Sequence, residues 1–153
     1  VELAVVIGKK AKNVTVNEAM NYVAGFTILN DVSERIAQRS DGQWFRAKSV
    51  DTFCPIGPFL VTMDELSDWK NLRVYSKLNG NILQDGNTSD MMMTVPEIIA
   101  YISKTITLLP GTVIATGTPA GIGSAREPQL VLQSGDKLET CIDKLGQQTA
   151  TIR

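Results

Sequence analysis

The chain has 153 residues, 43% of them hydrophobic and 20% charged, the make-up of one globular domain with room for a core. Fifteen basic and sixteen acidic residues leave a net charge of −1, which gives no global electrostatic case for nucleic acid, and no apolar run approaches the roughly 20 residues that span a bilayer. Histidine is absent and only Cys54 and Cys141 carry thiols, which argues against Cys/His zinc, removes the commonest general base and leaves hard cations on oxygen ligands (Mg²⁺, Mn²⁺ or Ca²⁺).

A strand is expected over Glu2 to Lys9, at a chain start without the basic and apolar leader of a secretory signal. A domain that starts in mid-strand reads as part of a longer polypeptide. Thr15 and Glu18 have capping-box spacing for a short helix through Tyr22. Val23 to Leu29 reads as a buried strand ending at Asn30-Asp31, after which Asp31 or Ser33 is placed to cap a short segment from Glu34 to Gln38. Gly42 lies in a polar loop ahead of Trp44 and Phe45, and Pro55, Gly57 and Pro58 precede a strand from Phe59 to Thr62.

Leu72 to Leu78 and Ile82 to Gln84 flank Asn79-Gly80, the dipeptide suited to a type I′ hairpin turn. Asp85 to Asp90 is rich in oxygens but lacks the glycine and glutamate of a calcium loop, so it reads as a polar connection. A helix is expected from about Thr94, with Pro96 in its first turn and Ile98, Ile99, Ile102 and Ile106 as its buried stripe. Pro110-Gly111 ends it and Thr112 to Ala115 resumes a strand. Gly117, Gly121 and Gly123 make the next segment a loop, and Lys137 to Ile142 pairs with Gln148 to Ile152 around Gly146. The sum is an α+β, mostly β domain with one long helix. Its strands do not alternate regularly with helices, which argues against a Rossmann-type sheet.

Charged groups are rarely kept beside apolar segments unless they are paired or bind something. Asp31 follows an apolar run, and Glu2 shares a strand face with Ala4 and Val6; a helix cap and a solvated chain end are the plain alternatives. Lys48 reads either as an ordinary surface charge or as a cation that steadies a developing oxyanion and relays a proton. Arg35 could grip a carboxylate through both arms, or pair with Glu34 or Asp31. The segment Thr116-Gly117-Thr118-Pro119-Ala120-Gly121-Ile122-Gly123 offers N–H groups and two hydroxyls to an anion, against the simpler reading of a turn. It is neither a P-loop nor a dinucleotide fingerprint. Met91-Met92-Met93 reads as packing or interface, and the two cysteines as reduced, buried thiols of a cytoplasmic protein.

These segments occur in a telling order. Val1-Glu2-Leu3-Ala4-Val5-Val6-Ile7-Gly8-Lys9 is followed by Val23-Ala24-Gly25-Phe26-Thr27 and Asn30-Asp31-Val32-Ser33. Gly42-Gln43-Trp44-Phe45-Arg46-Ala47-Lys48-Ser49 and Asp51-Thr52-Phe53-Cys54-Pro55-Ile56-Gly57-Pro58 continue the pattern. Asn87-Thr88-Ser89-Asp90-Met91 and Thr116-Gly117-Thr118-Pro119 complete it. Together they resemble the fumarylacetoacetate hydrolase superfamily across nearly the whole chain, and Arg126-Glu127-Pro128 resembles an insertion of one subgroup. Residues 1–153 then correspond to the C-terminal catalytic domain, without its N-terminal lead-in segment.

The resemblance implies a mixed β-sandwich or roll, a homodimer, and Mg²⁺ or Mn²⁺ held by three carboxylates. Two of these come from a Glu-x-Glu pair, whose members share one strand face, and the third from Asn-Asp-x-Ser. Glu2 matches the second glutamate and Asp31 the aspartate; the first glutamate would lie just before Val1. Lys48 matches the catalytic lysine. Arg35, Gln38, Thr52, Gly117 and Thr118 match substrate-binding positions, with Thr118 on the substrate carboxylate. Glu34 and Ile36 stand where the family usually has Ala and Asp, and the family's histidine, where used, comes from an upstream segment.

The implied activity is that of a metal-dependent enzyme on a small 2-oxo or β-diketo acid, working through an enolate, with C–C hydrolysis of an acylpyruvate as the first reading. Oxaloacetate tautomerisation or decarboxylation and hydroxydienedioate isomerisation are the alternatives, and a truncated, non-catalytic dimerising module is the rival outside enzymology. Neither nucleic acid nor membrane is expected as a partner. The expected location is cytoplasmic, or mitochondrial in a eukaryote.

Overall fold

A computed structural model describes residues 1–153. Eight strands form two four-stranded sheets in which every pairing is antiparallel. The first sheet has the order β3-β2-β1-β6, built from β1 (Glu2–Ile7), β2 (Val23–Leu29), β3 (Ile56–Thr62) and β6 (Val113–Ala115). The second has the order β5-β4-β7-β8, built from β4 (Arg73–Leu78), β5 (Asn81–Asn87), β7 (Lys137–Ile142) and β8 (Gly146–Thr151). Three short helices, α1 (Arg35–Asp41), α2 (Phe45–Lys48) and α3 (Val95–Ser103), complete a mostly β, α+β fold.

Side-chain alternation gives the two faces of the first sheet different work. Leu3, Val5 and Ile7 leave β1 on one side, with Ile28 and Phe26 opposite Leu3 and Val5 on β2. They join Trp69, Leu72, Val74, Ile99, Ile114 and Ile142 in one buried cluster, where the rings of Phe26 and Trp69 stack 5.7 Å apart. Glu2, Ala4, Thr27 and Leu29 point to the other side and are buried as well. A sheet covered on both faces carries its acidic residue out of bulk water, at the strand end where β2 runs into Asp31.

Local chemistry explains several boundaries. Asn79 and Gly80 have φ of 51° and 83°, the left-handed pair a type I′ turn requires, and Leu78 faces Asn81 across a two-residue hairpin. Thr94 and Glu97 close a capping box at the start of α3, with Pro96 in its first turn.

Other expectations are corrected. Ile106 is 59% exposed, because α3 ends at Ser103 before the isoleucine stripe runs out. Thr15 and Glu18 bond through their side chains, yet the segment forms only a 3₁₀ turn at Ala19–Tyr22. Neither Asp31 nor Ser33 caps α1; the Glu34 carboxylate accepts from the Ile36 and Ala37 N–H groups instead. Asp85 to Asn87 belong to β5, since they continue the ladder to Arg73, and only Thr88–Asp90 turns away as a 3₁₀ segment. β3 starts at Ile56, upstream of the expected Phe59, because Ile56 and Gly57 already pair with Leu29 and Ile28. Both cysteines are free, but Cys54 is exposed and only Cys141 is buried.

Candidate functional site

Glu2 is 6% exposed, and its Oε2 accepts a hydrogen bond from the Gly117 N–H at 2.7 Å. Burial pushes its carboxyl above the ordinary carboxylate range; the Gly117 N–H opposes that push, the charge of Asp31 adds to it, and Lys48 works against it. Gly117 sits at φ 105°, a conformation that side chains rarely adopt, so glycine suits the place where the loop turns its N–H onto Glu2. Thr116 anchors the same loop, its N–H and Oγ1 both donating to the Leu3 carbonyl, at 3.2 and 2.8 Å.

Asp31 lies two residues beyond β2. The chain then folds through α1 and α2 and returns Lys48 to it: Nζ donates to the Asp31 carboxylate and to Ser33 Oγ at 2.6 Å. Ser33 Oγ in turn donates to the Asp31 carbonyl, and the Glu34 N–H donates to the Ala47 carbonyl at 3.0 Å, which ties the two helices together. Lys48 Nζ is also 5.9 Å from the centre of the Trp44 ring. An ammonium, two carboxylates and a hydroxyl thus gather where the central strands β1 and β2 of the first sheet end.

The remaining expected residues are arranged less tightly. Arg35 Nη1 donates to Gln38 Oε1 at 2.7 Å, so these two form a pair on α1, bonded to each other and not to Glu2, Asp31 or Lys48. Thr52 is exposed at φ 70°, and its side chain bonds to none of them. Thr118 Oγ1 donates to the Val1 carbonyl at 2.9 Å and accepts from Gln84 Nε2 at 2.7 Å. Cys54 was expected to be buried; instead it is exposed, and its thiol lies in the field of the site, pushed up by partial desolvation and by the charges of Asp31 and Glu2, with Lys48 opposing.

Gln84 was missed by sequence reasoning. It lies inside a hairpin that reads only as strand, and its one signal was polarity at a position that alternation turns inward. A cleft of about 390 Å³ runs along the Thr116–Pro119 loop, with Met91, Met92 and Met93 on its other wall. Its lining includes Leu3, which leaves β1 on the face opposite Glu2, so it lies behind the acidic pair.

The donor set bears on which ion fits. Every group offered by Glu2 and Asp31 is a hard oxygen, and two carboxylates in each other's field are relieved by a cation. Thr27 Oγ1, buried without a partner, leaves β2 on the same face as Glu2. These features fit Mg²⁺ or Mn²⁺, although no group of three or more Asp, Glu or Cys side chains gathers around one point.

The family described as fumarylacetoacetate (FAA) hydrolase C-terminal matches residues 1–153. The human protein named oxaloacetate tautomerase FAHD2A, mitochondrial, is 47% identical over 148 residues, covering 95% of this chain and 47% of that protein. A 2,4-didehydro-3-deoxy-L-rhamnonate hydrolase of Sphingomonas is 47% identical over 154 residues, covering 99% of this chain and 54% of that one. Among solved structures, a fumarylacetoacetate hydrolase of Exiguobacterium antarcticum superposes with a TM-score of 0.96 at 39% identity, covering 99% of this chain and 55% of that one. A 2-hydroxyhepta-2,4-diene-1,7-dioate isomerase of Mycobacterium marinum gives 0.88 at 42%, covering 99% and 56%. The chain spans about half the length of the curated relatives it matches.

Proposed function

This chain belongs to the fumarylacetoacetate hydrolase family, and on that premise we propose that it carries the carboxylate and lysine groups of an enzyme that enolises a small 2-oxo or β-diketo acid. The observation that supports this most is the convergence of Glu2, Asp31 and Lys48 where the central strands of the first sheet end, in chemistry suited to a hard cation and an oxyanion. Glu2 and Asp31 are the residues that would hold Mg²⁺ or Mn²⁺. When bound, such an ion supplies Lewis acidity toward the carboxylate and 2-oxo oxygens of the acid.

The chain's own residues account for the rest. Lys48 Nζ, held by Asp31 and Ser33, presents a positive charge and an exchangeable proton beside the acidic pair. Burial of Glu2 and the Gly117 bond keep that carboxylate in one orientation. Arg35 and Gln38 supply a planar fork and an amide for the substrate's far end, Thr52 a hydroxyl, and Thr118 a donor for its carboxylate.

C–C hydrolysis of an acylpyruvate is the first reading of the reaction. Oxaloacetate tautomerisation is the second, favoured by 47% identity to a protein named for that activity. The protein's assembly is proposed as a homodimer, supported by the exposed Trp44, Phe45, Phe59 and Leu60. No helix is long and apolar enough to cross a membrane. The proposed location is the cytoplasm, or the mitochondrion in a eukaryote.

Acylpyruvates, oxaloacetate and hydroxydienedioates, assayed with Mg²⁺ or Mn²⁺ and again in excess EDTA, test the proposal. Turnover of one class that disappears with EDTA and returns with added ion is the expected result. Full turnover after verified metal removal, or none on any member of the panel, refutes it.

A further inference from the structure

One buried amide reaches the candidate site from the second sheet. Gln84, 6% exposed on β5, lies across from Ser76 on β4. Its Nε2 donates to Thr118 Oγ1 at 2.7 Å and to the Pro119 carbonyl at 2.9 Å, while its Oε1 accepts from Ser76 Oγ at 3.1 Å and faces the Val1 nitrogen at 3.0 Å. A carbonyl can only accept, so Pro119 decides which end of the amide carries the hydrogens. Thr118 Oγ1 therefore receives a hydrogen from Gln84 and must direct its own proton elsewhere. In the structure that proton goes to the Val1 carbonyl, one residue before Glu2.

Donating is the role a hydroxyl needs toward an anion, because a hydroxyl turned the other way presents a lone pair to the carboxylate. From this geometry we infer that Gln84 is a positioning residue: by donating to Thr118 Oγ1 it leaves the hydroxyl only a donor role, and its one proton passes from the Val1 carbonyl to the carboxylate of an oxo-acid substrate when that substrate binds, an inference that rests on the function proposed above. Gln84 is buried and Thr118 exposed, so the amide acts through the hydroxyl without meeting the ligand.

The loop behind Thr118 is fastened to the same strand. Arg126 donates through Nε to the Gly121 carbonyl at 3.1 Å and through Nη2 to the Leu83 carbonyl, next to Gln84 in sequence. A Cβ on Gly121 would stand 2.2 Å from the Leu83 oxygen, so loop and strand are in direct contact. Thr118 is set from both ends of its loop.

The test is a double-mutant cycle on the protein, read as KM and kcat for whichever oxo acid it turns over. Gln84→Met keeps side-chain length and removes the two hydrogen bonds donated by Nε2 together with the Oε1 acceptor used by Ser76 and Val1; it is expected to raise KM about tenfold with kcat within about threefold. In a Thr118→Val background the same change should leave KM within about twofold of that background. Gln84→Glu, which cannot donate to Thr118, should raise KM further than Gln84→Met. Equal effects of Gln84→Met on KM in both backgrounds, or a loss of kcat with KM unchanged, overturn the inference.

A second readout needs no turnover. The side-chain amide resonance of Gln84 should shift, and exchange its protons at least about tenfold faster, when Thr118→Val removes its partner. An unmoved resonance overturns the relay even where the oxo-acid assay succeeds. A shifted resonance with no oxo acid turned over supports the hydrogen-bond relay and refutes the substrate reading separately.

Discussion

Glu34→Ala removes the cap of α1, and its cost can be worked out bond by bond. The helix is seven residues long, below the length at which a helix holds itself together in water, so its first turn depends on outside partners. The Glu34 carboxylate takes the N–H groups of Ile36 and Ala37. Losing such a cap costs about 1 kcal/mol, with a range of about 0.5–2, and removing its charge from the helix N-terminus adds about 0.3–1 kcal/mol. The Glu34 N–H bond to Ala47 and the burial of Ala37 survive the change, so the helix stays docked with a loosened first turn.

The expected loss of about 1–2 kcal/mol lowers the melting temperature by roughly 2–8 °C at this chain length. Arg35 and Gln38 sit on the loosened turns, so KM should rise where kcat holds. The neighbouring residue supplies a control. Ile36 is 79% exposed, so Ile36→Asp sacrifices no core and places a carboxylate in the first turn, which should return about 0.3–1 kcal/mol to the Glu34→Ala protein. Thermal and urea melts of both variants measure this. A melting temperature unchanged by Glu34→Ala, or a second substitution that destabilises further, refutes the reasoning.

Three more outcomes are expected. Lys48→Met should lower kcat by at least about a hundredfold with KM little changed, since it removes the proton-bearing group beside the acidic pair; kinetics that keep kcat would dismiss its role. Glu2 has an ordinary value of 4.5 that burial raises in the folded protein, so it favours folding below 4.5 and loses that contribution as pH rises through its higher folded value. In chelator, the urea midpoint of the wild type relative to Glu2→Gln should therefore fall as pH rises above 4.5, and parallel curves would count against a raised carboxyl. Asp31→Asn removes one of the charges that push the Cys54 thiol up, so Cys54 should be alkylated by iodoacetamide faster at fixed pH; an unchanged rate would separate the thiol from the site.

What could be read from the sequence was whatever local chemistry decides. The Asn79-Gly80 turn, the Val23–Leu29 run and the Thr94 cap appear where expected, because each depends on neighbours within a few residues. Ile106 was misplaced because helical spacing continues past Ser103, where the helix ends and Ser103 Oγ accepts from the Val14 N–H. α2 is four residues long, too short for any period to show. The cap of α1 fell to glutamate, a residue that cap preferences place behind Asp and Ser, because the helix starts at Arg35 and Glu34 is the residue directly ahead of it.

The same division runs through the candidate site. The strand face shared with Ala4 and Val6 only suggested that Glu2 points inward and left a solvated chain end open; the family resemblance marked it, and the bond that orients it comes from Gly117, across a strand pairing that no local pattern contains. Lys48 meets Asp31 only after two helices have turned the chain back on itself. Gln84 is further removed, since its meaning depends on the second sheet delivering an amide to the first sheet's loop. Residue types are visible in one dimension, whereas a proton's direction is set where two sheets meet. That is why the strongest constraint on Thr118 comes from a glutamine 34 positions away.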